Sequence, residues 1–352
     1  MPCYKPLMAV NVGTNENGKQ ALKFLKGKTF DALKHKDESI IPINCGQCIG
    51  CRLERSKQWA TRCVFEASFH DFNCFITLTF NSEHININQT LVKRDFQNFI
   101  KRLRKHIDEK IYDPETNTYK RRDIPLSKQK LIHKIKYFHC GEYGTKGQRP
   151  HHHACIFNYD FQDKKLWSTR DGIRLYRSDQ LEKLWPYGFC TIGEVTFQSS
   201  AYIARYVMKK WNAENLSKED LYNEMRNSKD AHYQGRLPEY ISMSKGRRTT
   251  DHKTGKKKSN GIGADWFYKY KDTDIYNWDQ IVLRNGIKLK SPRYYDKIFD
   301  EIDPDRYTHI KEERIKKAKQ NPDRGLARLK VKEKIKLSQI KKLRRNYETT
   351  SI

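Results

Sequence analysis

The spacing of apolar positions divides the chain into elements. In RDFQNFIKRLRKHI, Phe96, Phe99, Ile100, Leu103 and Ile107 recur at helical intervals, while Lys101, Arg102, Arg104 and Lys105 fall on other faces. Such a stripe predicts a helix packed on a sheet. CFITLTF, Cys74 to Phe80, is rich in β-branched and aromatic residues and stops at Asn81 and Ser82, which predicts a central strand. KIKYFHCGEYG reads as a second strand ending at Gly141 to Gly144, and the turn TKGQRP leads from it into HHHACIF. Two strands joined so closely form an antiparallel hairpin. CTIGEVTF, Cys190 to Phe197, is a further strand, after which Ser199 or Ser200 can cap a helix running through YIARYVMKK.

Elsewhere the pattern is weaker. Residues 1 to about 40 are polar and irregular, with NVGTNENGKQ reading as a loop and ALKFLKGKTF as a short strand or helix, and Cys45 to Phe72 reads as a cysteine knuckle followed by a helix burying Leu53, Ala60, Val64 and Ala67. Residues 112 to 129 form a polar insertion, and a polar, basic connection joins HHHACIF to CTIGEVTF. Ser244 to Gly263 reads as a mobile basic loop able to clamp a phosphate backbone. Arg306 to Ile352 reads as a solvated basic helix broken at Pro322 and Gly325. Strands and helices mix without βαβ regularity, so the expected class is α+β with a central antiparallel sheet, helices on its faces, and N-terminal and C-terminal helical extensions. The expected division is 1–72 (knuckle and helix), 73–215 (catalytic domain), 216–305 (extension with the basic loop) and 306–352 (basic tail).

Charge narrows the choice of partner. Lys and Arg outnumber Asp and Glu by 70 to 42, a formal +28, and they come with 20 Tyr and 16 Phe. Cationic side chains gain affinity for nucleic acid by releasing its counterions, and aromatic rings stack on unpaired bases. No stretch approaches the roughly twenty apolar residues of a membrane span, and MPCYKPLMAV lacks the pattern of a signal peptide, so a cytoplasmic protein is expected. Nine cysteines in that compartment are then thiols, metal ligands or core residues and not disulfides.

Three groups of residues carry candidate chemistry. His151 and His153 lie two apart in a strand and so share a face, with His152 on the opposite one. Glu142, nine residues earlier on the partner strand, supplies a third ligand, and a set of two imidazoles and one carboxylate leaves positions open for phosphate oxygens, which suits Mg²⁺ or Mn²⁺. Tyr202 and Tyr206, four apart, share a helix face. A phenol needs activation to attack at neutral pH, which a metal and Lys209, three residues after Tyr206, can give. Amphipathic core packing accounts for the same tyrosine spacing. Cys45, Cys48 and Cys51, with Cys63 or Cys3 as the fourth, can bind structural zinc or be buried thiols at a helix start.

The ordered set CFITLTF, GEYG…RPHHHACIF and YIARYVMKK resembles the three motifs of rolling-circle replication initiators of the HUH endonuclease superfamily. The doubled tyrosine resembles the subgroup found in microviruses. MPCYKP, CGQCIGCR with WATRC, the RDFQNFIKRLRK helix, GIGADWF and SPRYYDK are together similar to gokushovirus-type replication initiation proteins over most of residues 1 to 300. The resemblance implies a ferredoxin-like or RRM-like sheet, metal ligands His151, His153 and Glu142, nucleophiles Tyr202 and Tyr206, and a catalytic Lys209. It also implies nicking of the viral strand at an origin through a 5′ phosphotyrosine, followed by strand transfer that closes a single-stranded circle. The partners implied are single-stranded and origin-bearing double-stranded viral DNA with host helicase and polymerase, in the cytoplasm of a bacterial host. Arg205 departs from the doubled YxxK pattern, since arginine does not donate a proton at neutral pH. His152 stands where the pattern usually has an apolar residue. The competing readings are a plasmid or transposon nuclease of the same superfamily, against which the outer segments argue, and a noncatalytic basic nucleic-acid-binding protein.

Overall fold

The computed structural model describes residues 3–14, 20–25, 40–86, 89–113, 118–121, 135–144, 148–170, 172–205, 236–246, 248–250, 257–283, 286–320 and 325–341. These fall into two compact units, one of Met1–Gln58 with Lys271–Arg345, the other built on Trp59–Tyr270. In the first unit, β1 (Leu7–Thr14), β2 (Gln20–Phe24) and β3 (Ile40–Ile43) form a three-stranded antiparallel sheet in the order β2-β1-β3. Strand β2 falls at the start of ALKFLKGKTF, where a short strand or helix was expected, whereas β1 and β3 were not read from the sequence. The apolar runs LMAV and IIPI are short but pair directly, with Leu7 opposite Ile43 and Ala9 opposite Ile41, and Met8 and Ala9 are buried. Helix α1 (Ile49–Ala67) follows the cysteine knuckle. Along it Ala60, Cys63 and Phe65 are buried, whereas Leu53, Val64 and Ala67, expected in the core, are only half-buried.

The second unit is organised by a seven-stranded antiparallel sheet. Its strands are β4 (Asn73–Thr79), β7 (Lys136–Tyr143), β8 (Pro150–Phe157), β9 (Lys165–Arg170), β10 (Ile173–Arg177), β11 (Cys190–Gly193) and β12 (Tyr240–Met243), in the order β12-β7-β8-β4-β11-β10-β9. Strand β4 is central, as expected. The polar insertion carries a separate pair, β5 (Lys110–Asp113) with β6 (Thr118–Arg121). The basic connection after β8 contains the β9–β10 hairpin, in which β10 buries Leu175 and exposes Arg174 and Arg177.

Each face of this sheet has its own cover. Helix α2 (Lys93–Glu109) lays Phe96, Phe99, Ile100, Leu103 and Ile107 on Cys74, Ile76, Leu78, Ala154 and Ile156, so the stripe read from sequence is the buried one. The short α3 (Asp179–Leu184), with Trp185 after it, fills the same side. On the other face, Cys63 and Trp59 of α1 meet Phe75, Phe138, Cys140, Cys155 and Phe157, joined by α4 (Phe197–Arg205). Strand β11 stops at Gly193, not at Phe197, and the cap of α4 lies earlier than Ser199. Thr196 N–H donates to Ser199 Oγ at 2.8 Å while Ser199 N–H donates to Thr196 Oγ1 at 3.1 Å, a reciprocal cap one turn upstream of the expected one.

The basic segment expected as one mobile loop holds a two-stranded pair, β13 (Arg248–Thr250) and β14 (Lys257–Ser259), and leads into α5 (Ala264–Tyr270). Its far end is fastened to α1, where Arg62 Nε donates to Ile262 O at 2.9 Å and Gly263 N–H donates to Glu66 Oε2 at 2.7 Å. The first unit resumes with α6 (Asp274–Asn277), β15 (Ile281–Val282), β16 (Lys288–Leu289), α7 (Arg293–Ile302), α8 (Pro304–Lys319) and α9 (Leu326–Lys341). Helix α8 is not simply solvated, because Tyr307 and Ile310 are buried and Arg314 pairs with both Asp279 and Asp296. Pro322 lies outside the described residues, between the end of α8 and the start of α9.

Candidate metal and nucleophile site

Strand register assembles the site. Glu142 on β7 pairs directly with His151 on β8, and Cys140 pairs with His153, so the carboxylate and both imidazoles project from neighbouring positions on one face. His151 Nε2 lies 2.7 Å from Glu142 Oε1, and His153 Nε2 lies 2.9 Å from the same oxygen. Tyr202 on α4 donates its hydroxyl to that oxygen at 2.9 Å. One carboxylate oxygen therefore gathers two imidazoles and the phenol, and all but His151 are almost fully buried. The helix places Tyr202 there because Ile203 and Ala204 pack into the apolar cluster beneath it, beside Cys155 and Phe157.

The second oxygen, Glu142 Oε2, is buried and has no hydrogen-bond partner among the described residues. An orphaned buried carboxylate oxygen costs about 1–3 kcal/mol, more when charged, unless a cation satisfies it. Burial pushes the Glu142 carboxyl up, but His153 and His151 beside it more than offset this and hold it down to about 2. It is thus a carboxylate at neutral pH. Glu142, His151 and His153 each offer a ligand atom within 4.8 Å of the others, and the mixed oxygen and nitrogen donor set fits a divalent ion with open positions.

The far nitrogens of both imidazoles are also held. His151 Nδ1 lies 3.1 Å from Arg149 O, which only accepts, so that nitrogen carries a proton and Nε2 is the atom that would face a metal. His153 Nδ1 lies 2.9 Å from Thr77 Oγ1 on β4, and the His153 ring stacks on Phe75 with centroids 5.6 Å apart. Orienting bonds of this kind are a regular companion of metal-binding imidazoles. Neither Thr77 nor Arg149 was evident from sequence, although the alternation of CFITLTF already put Thr77 on the same face as Phe75.

Comparison with known proteins places the chain in a family. A family model described as replication-associated protein ORF2/G2P matches residues 73–211. Replication-associated protein ORF2 of Spiroplasma virus 4 is 30% identical over 334 residues, spanning 91% of this chain and 87% of its own length. The chain belongs to the replication-associated protein family of microviruses and phages. Replication-associated protein VP4 of Bdellovibrio phage phiMH2K is 30% identical over 273 residues, 77% of this chain and 72% of its own. Replication-associated protein ORF4 of Chlamydia phage 1 is 26% identical over 287 residues, 80% and 59% respectively. No solved structure matches the chain.

The region matched by the replication-associated family holds every residue of the site, as well as Tyr206 and Lys209, which lie outside the described residues. His152 faces the opposite side of the sheet, as expected, where its Nδ1 lies 3.1 Å from His139 Nε2. Burial, with His151 and His153 nearby, holds the His152 imidazole down to about 3, and burial likewise keeps His139 neutral. His139 stacks on Phe96 with centroids 3.5 Å apart, so this pair is core packing behind the site.

Strand β12 was not legible as a strand. It covers the outer edge of β7, and its Tyr240 ring lies where a Cβ on Gly141 would stand, 2.7 Å from that position. The glycine of GEYG is there because a tyrosine crosses it. Just before β12, the buried Glu239 accepts from Tyr143 N–H at 3.1 Å and so fixes the end of β7 beside Glu142.

The cysteines resolve differently from one of the two expectations. Cys3, Cys45, Cys48 and Cys51 come together, whereas Cys63 is buried among Phe75, Cys155 and Tyr202 in the second unit. Helical rise accounts for this, since twelve residues of α1 put Cys63 roughly 18 Å along the axis from Cys51.

Proposed function

We propose that this replication-associated protein initiates rolling-circle replication by nicking one DNA strand with Tyr202. The observation that carries the proposal is the Tyr202 hydroxyl, 2.9 Å from the carboxylate oxygen that both histidines approach. Glu142, His151 and His153 would hold Mg²⁺ or Mn²⁺, which when bound supplies the positive charge that polarises a scissile phosphate and favours an attacking oxyanion. Tyr202 directs its hydroxyl at Glu142 Oε1, which orients the phenolic oxygen beside the three groups that would hold the metal. As the phenolic oxygen bonds to phosphorus, the bond to the 3′ oxygen breaks, leaving a 5′ phosphotyrosine and, after protonation, a free 3′ hydroxyl.

The resemblance extends this to Tyr206 as a second nucleophile and Lys209 as the cation that stabilises charge on a phenol. With two tyrosines, cleavage of the regenerated origin by one and attack of the released 3′ hydroxyl on the other's phosphotyrosine closes a circle without ATP. The nucleic-acid partners are viral single-stranded and origin-bearing double-stranded DNA, extended by host polymerase with a host helicase, inside the bacterial cell. The +28 formal charge supports a polyanionic partner. No helix among the described residues is long and apolar enough to cross a membrane.

The test is incubation of the protein with Mn²⁺ and circular single-stranded phage DNA, followed by denaturing electrophoresis. A covalent protein–DNA adduct is expected, absent from the Tyr202→Phe, Tyr206→Phe double variant and from His151→Ala, His153→Ala. An adduct that persists in the double tyrosine variant would sink the assignment of the nucleophiles.

A further inference from the structure

The cysteine group belongs to the first unit, whereas the nucleophile site belongs to the second. Its four residues come from two places, Cys3 four residues ahead of β1, and Cys45, Cys48 and Cys51 between β3 and the first turn of α1. The sulfur atoms stand 3.6 Å apart for Cys3 and Cys45, 3.9 Å for Cys48 and Cys3, and 4.0 Å for Cys45 and Cys51. A disulfide requires about 2.05 Å, and all nine cysteines are free thiols. Four thiolates around one zinc at about 2.3 Å form a tetrahedron whose edge is about 3.8 Å. The observed separations bracket that edge.

The surroundings supply hydrogen-bond donors to the sulfur atoms. Backbone N–H groups point at sulfur: Tyr4 to Cys48 Sγ at 3.3 Å, Cys48 to Cys45 Sγ at 3.2 Å, and Cys45 to Cys3 Sγ at 3.4 Å. Gly46 takes a left-handed φ of 74°, which lets the chain fold back between Cys45 and Cys48. Arg55 Nη2 lies 3.8 Å from where a Gly46 Cβ would be, bringing positive charge to the knuckle, and the N-terminal end of α1 adds its own.

We propose that Cys3, Cys45, Cys48 and Cys51 bind one structural Zn²⁺ as thiolates, and that the ion ties the segment leading into β1 to the start of α1. Binding releases the thiol protons to solvent and forms four Zn–S bonds, with no change of oxidation state. The soft, closed, four-sulfur set separates this ion from the exchangeable one at Glu142, His151 and His153. Cys63 takes no part.

The experiment is metal analysis of the full-length protein, purified without chelator, with the Cys45→Ser, Cys63→Ser and His151→Ala, His153→Ala variants beside it. One equivalent of zinc per chain is expected in the wild type, in Cys63→Ser and in the histidine variant, and a substoichiometric amount in Cys45→Ser. Should Cys45→Ser not fold, cobalt substitution of the wild-type protein provides the second measurement, and tetrahedral cobalt–thiolate absorption is expected. Zinc lost with the histidines, an equivalent of iron in place of zinc, a disulfide among the four, or cobalt spectra without thiolate bands would each overturn the proposal. Because the histidine variant loses adduct formation but keeps zinc, failure here is distinguishable from failure of the nicking assignment.

Discussion

Replacing Thr77 by Val tests whether the sheet tunes the proposed metal site from behind. The Thr77 hydroxyl stands 2.9 Å from His153 Nδ1, with Thr77 2% and His153 0% exposed, so no water replaces the lost partner. For His153 Nε2 to offer its lone pair, Nδ1 must carry the proton, and Thr77 Oγ1 is its acceptor. Valine keeps the shape and leaves that N–H unsatisfied, at a cost of about 1–3 kcal/mol in stability. Loss of such an orienting bond lowers metal affinity by about 10–100-fold. Here the imidazole is still gripped by Phe75, stacked at 5.6 Å, and by Tyr202, edge-on at 5.0 Å, so the ring keeps its place and the loss belongs at the lower end, about tenfold. The assay is adduct formation as a function of Mn²⁺ concentration. The midpoint should rise about tenfold in Thr77→Val, recover in Thr77→Ser, and the yield at saturating Mn²⁺ should be unchanged. If the melting temperature falls while the Mn²⁺ midpoint stays fixed, Thr77 is structural only and the reasoning is refuted.

Two further outcomes follow from the packing and the charges. Leu103 is fully buried between α2 and the sheet, so Leu103→Ala should cost about 2–5 kcal/mol in urea unfolding, and a loss below 1 kcal/mol would show that α2 does not carry the core. Glu142 titrates near 2 in the folded protein against an ordinary 4.5. A depressed carboxyl stabilises fully above its ordinary value and loses that contribution as pH falls through about 2, so metal-free protein should weaken across this window. Glu142→Gln should flatten that part of the pH dependence, and equal slopes in the two proteins would contradict the charge pairing.

The central sheet and its site were legible where period and register coincide. The stripe of α2 repeats at helical spacing, β4 is a compact β-branched run, and the short connection between β7 and β8 makes their pairing local, which is why Glu142, His151 and His153 could be placed together. What escaped depends on distant partners. The apolar start of Leu7–Thr14 is too short to read as a strand until Ile40–Ile43 is set beside it, and Tyr240–Met243 is a strand because β7 offers it an edge. Likewise Cys3 is 42 residues from Cys45, a separation from which spacing alone says nothing. The start of α4 was misplaced because threonine and serine both cap, and only the reciprocal bonds show that Thr196 does.

The direct pairing of Glu142 with His151 means that folding and activity share one parity. Sliding β8 by a single residue along β7 would turn His152 toward Tyr202 and drive His151 and His153 against Phe96 and Trp185. No half-active register exists between the two. The connection from β7 to β8 is therefore free to change in length and sequence only so far as it returns the chain in the same phase. Under the proposed nicking function, a misassembled copy would lose its core and its nucleophile site together.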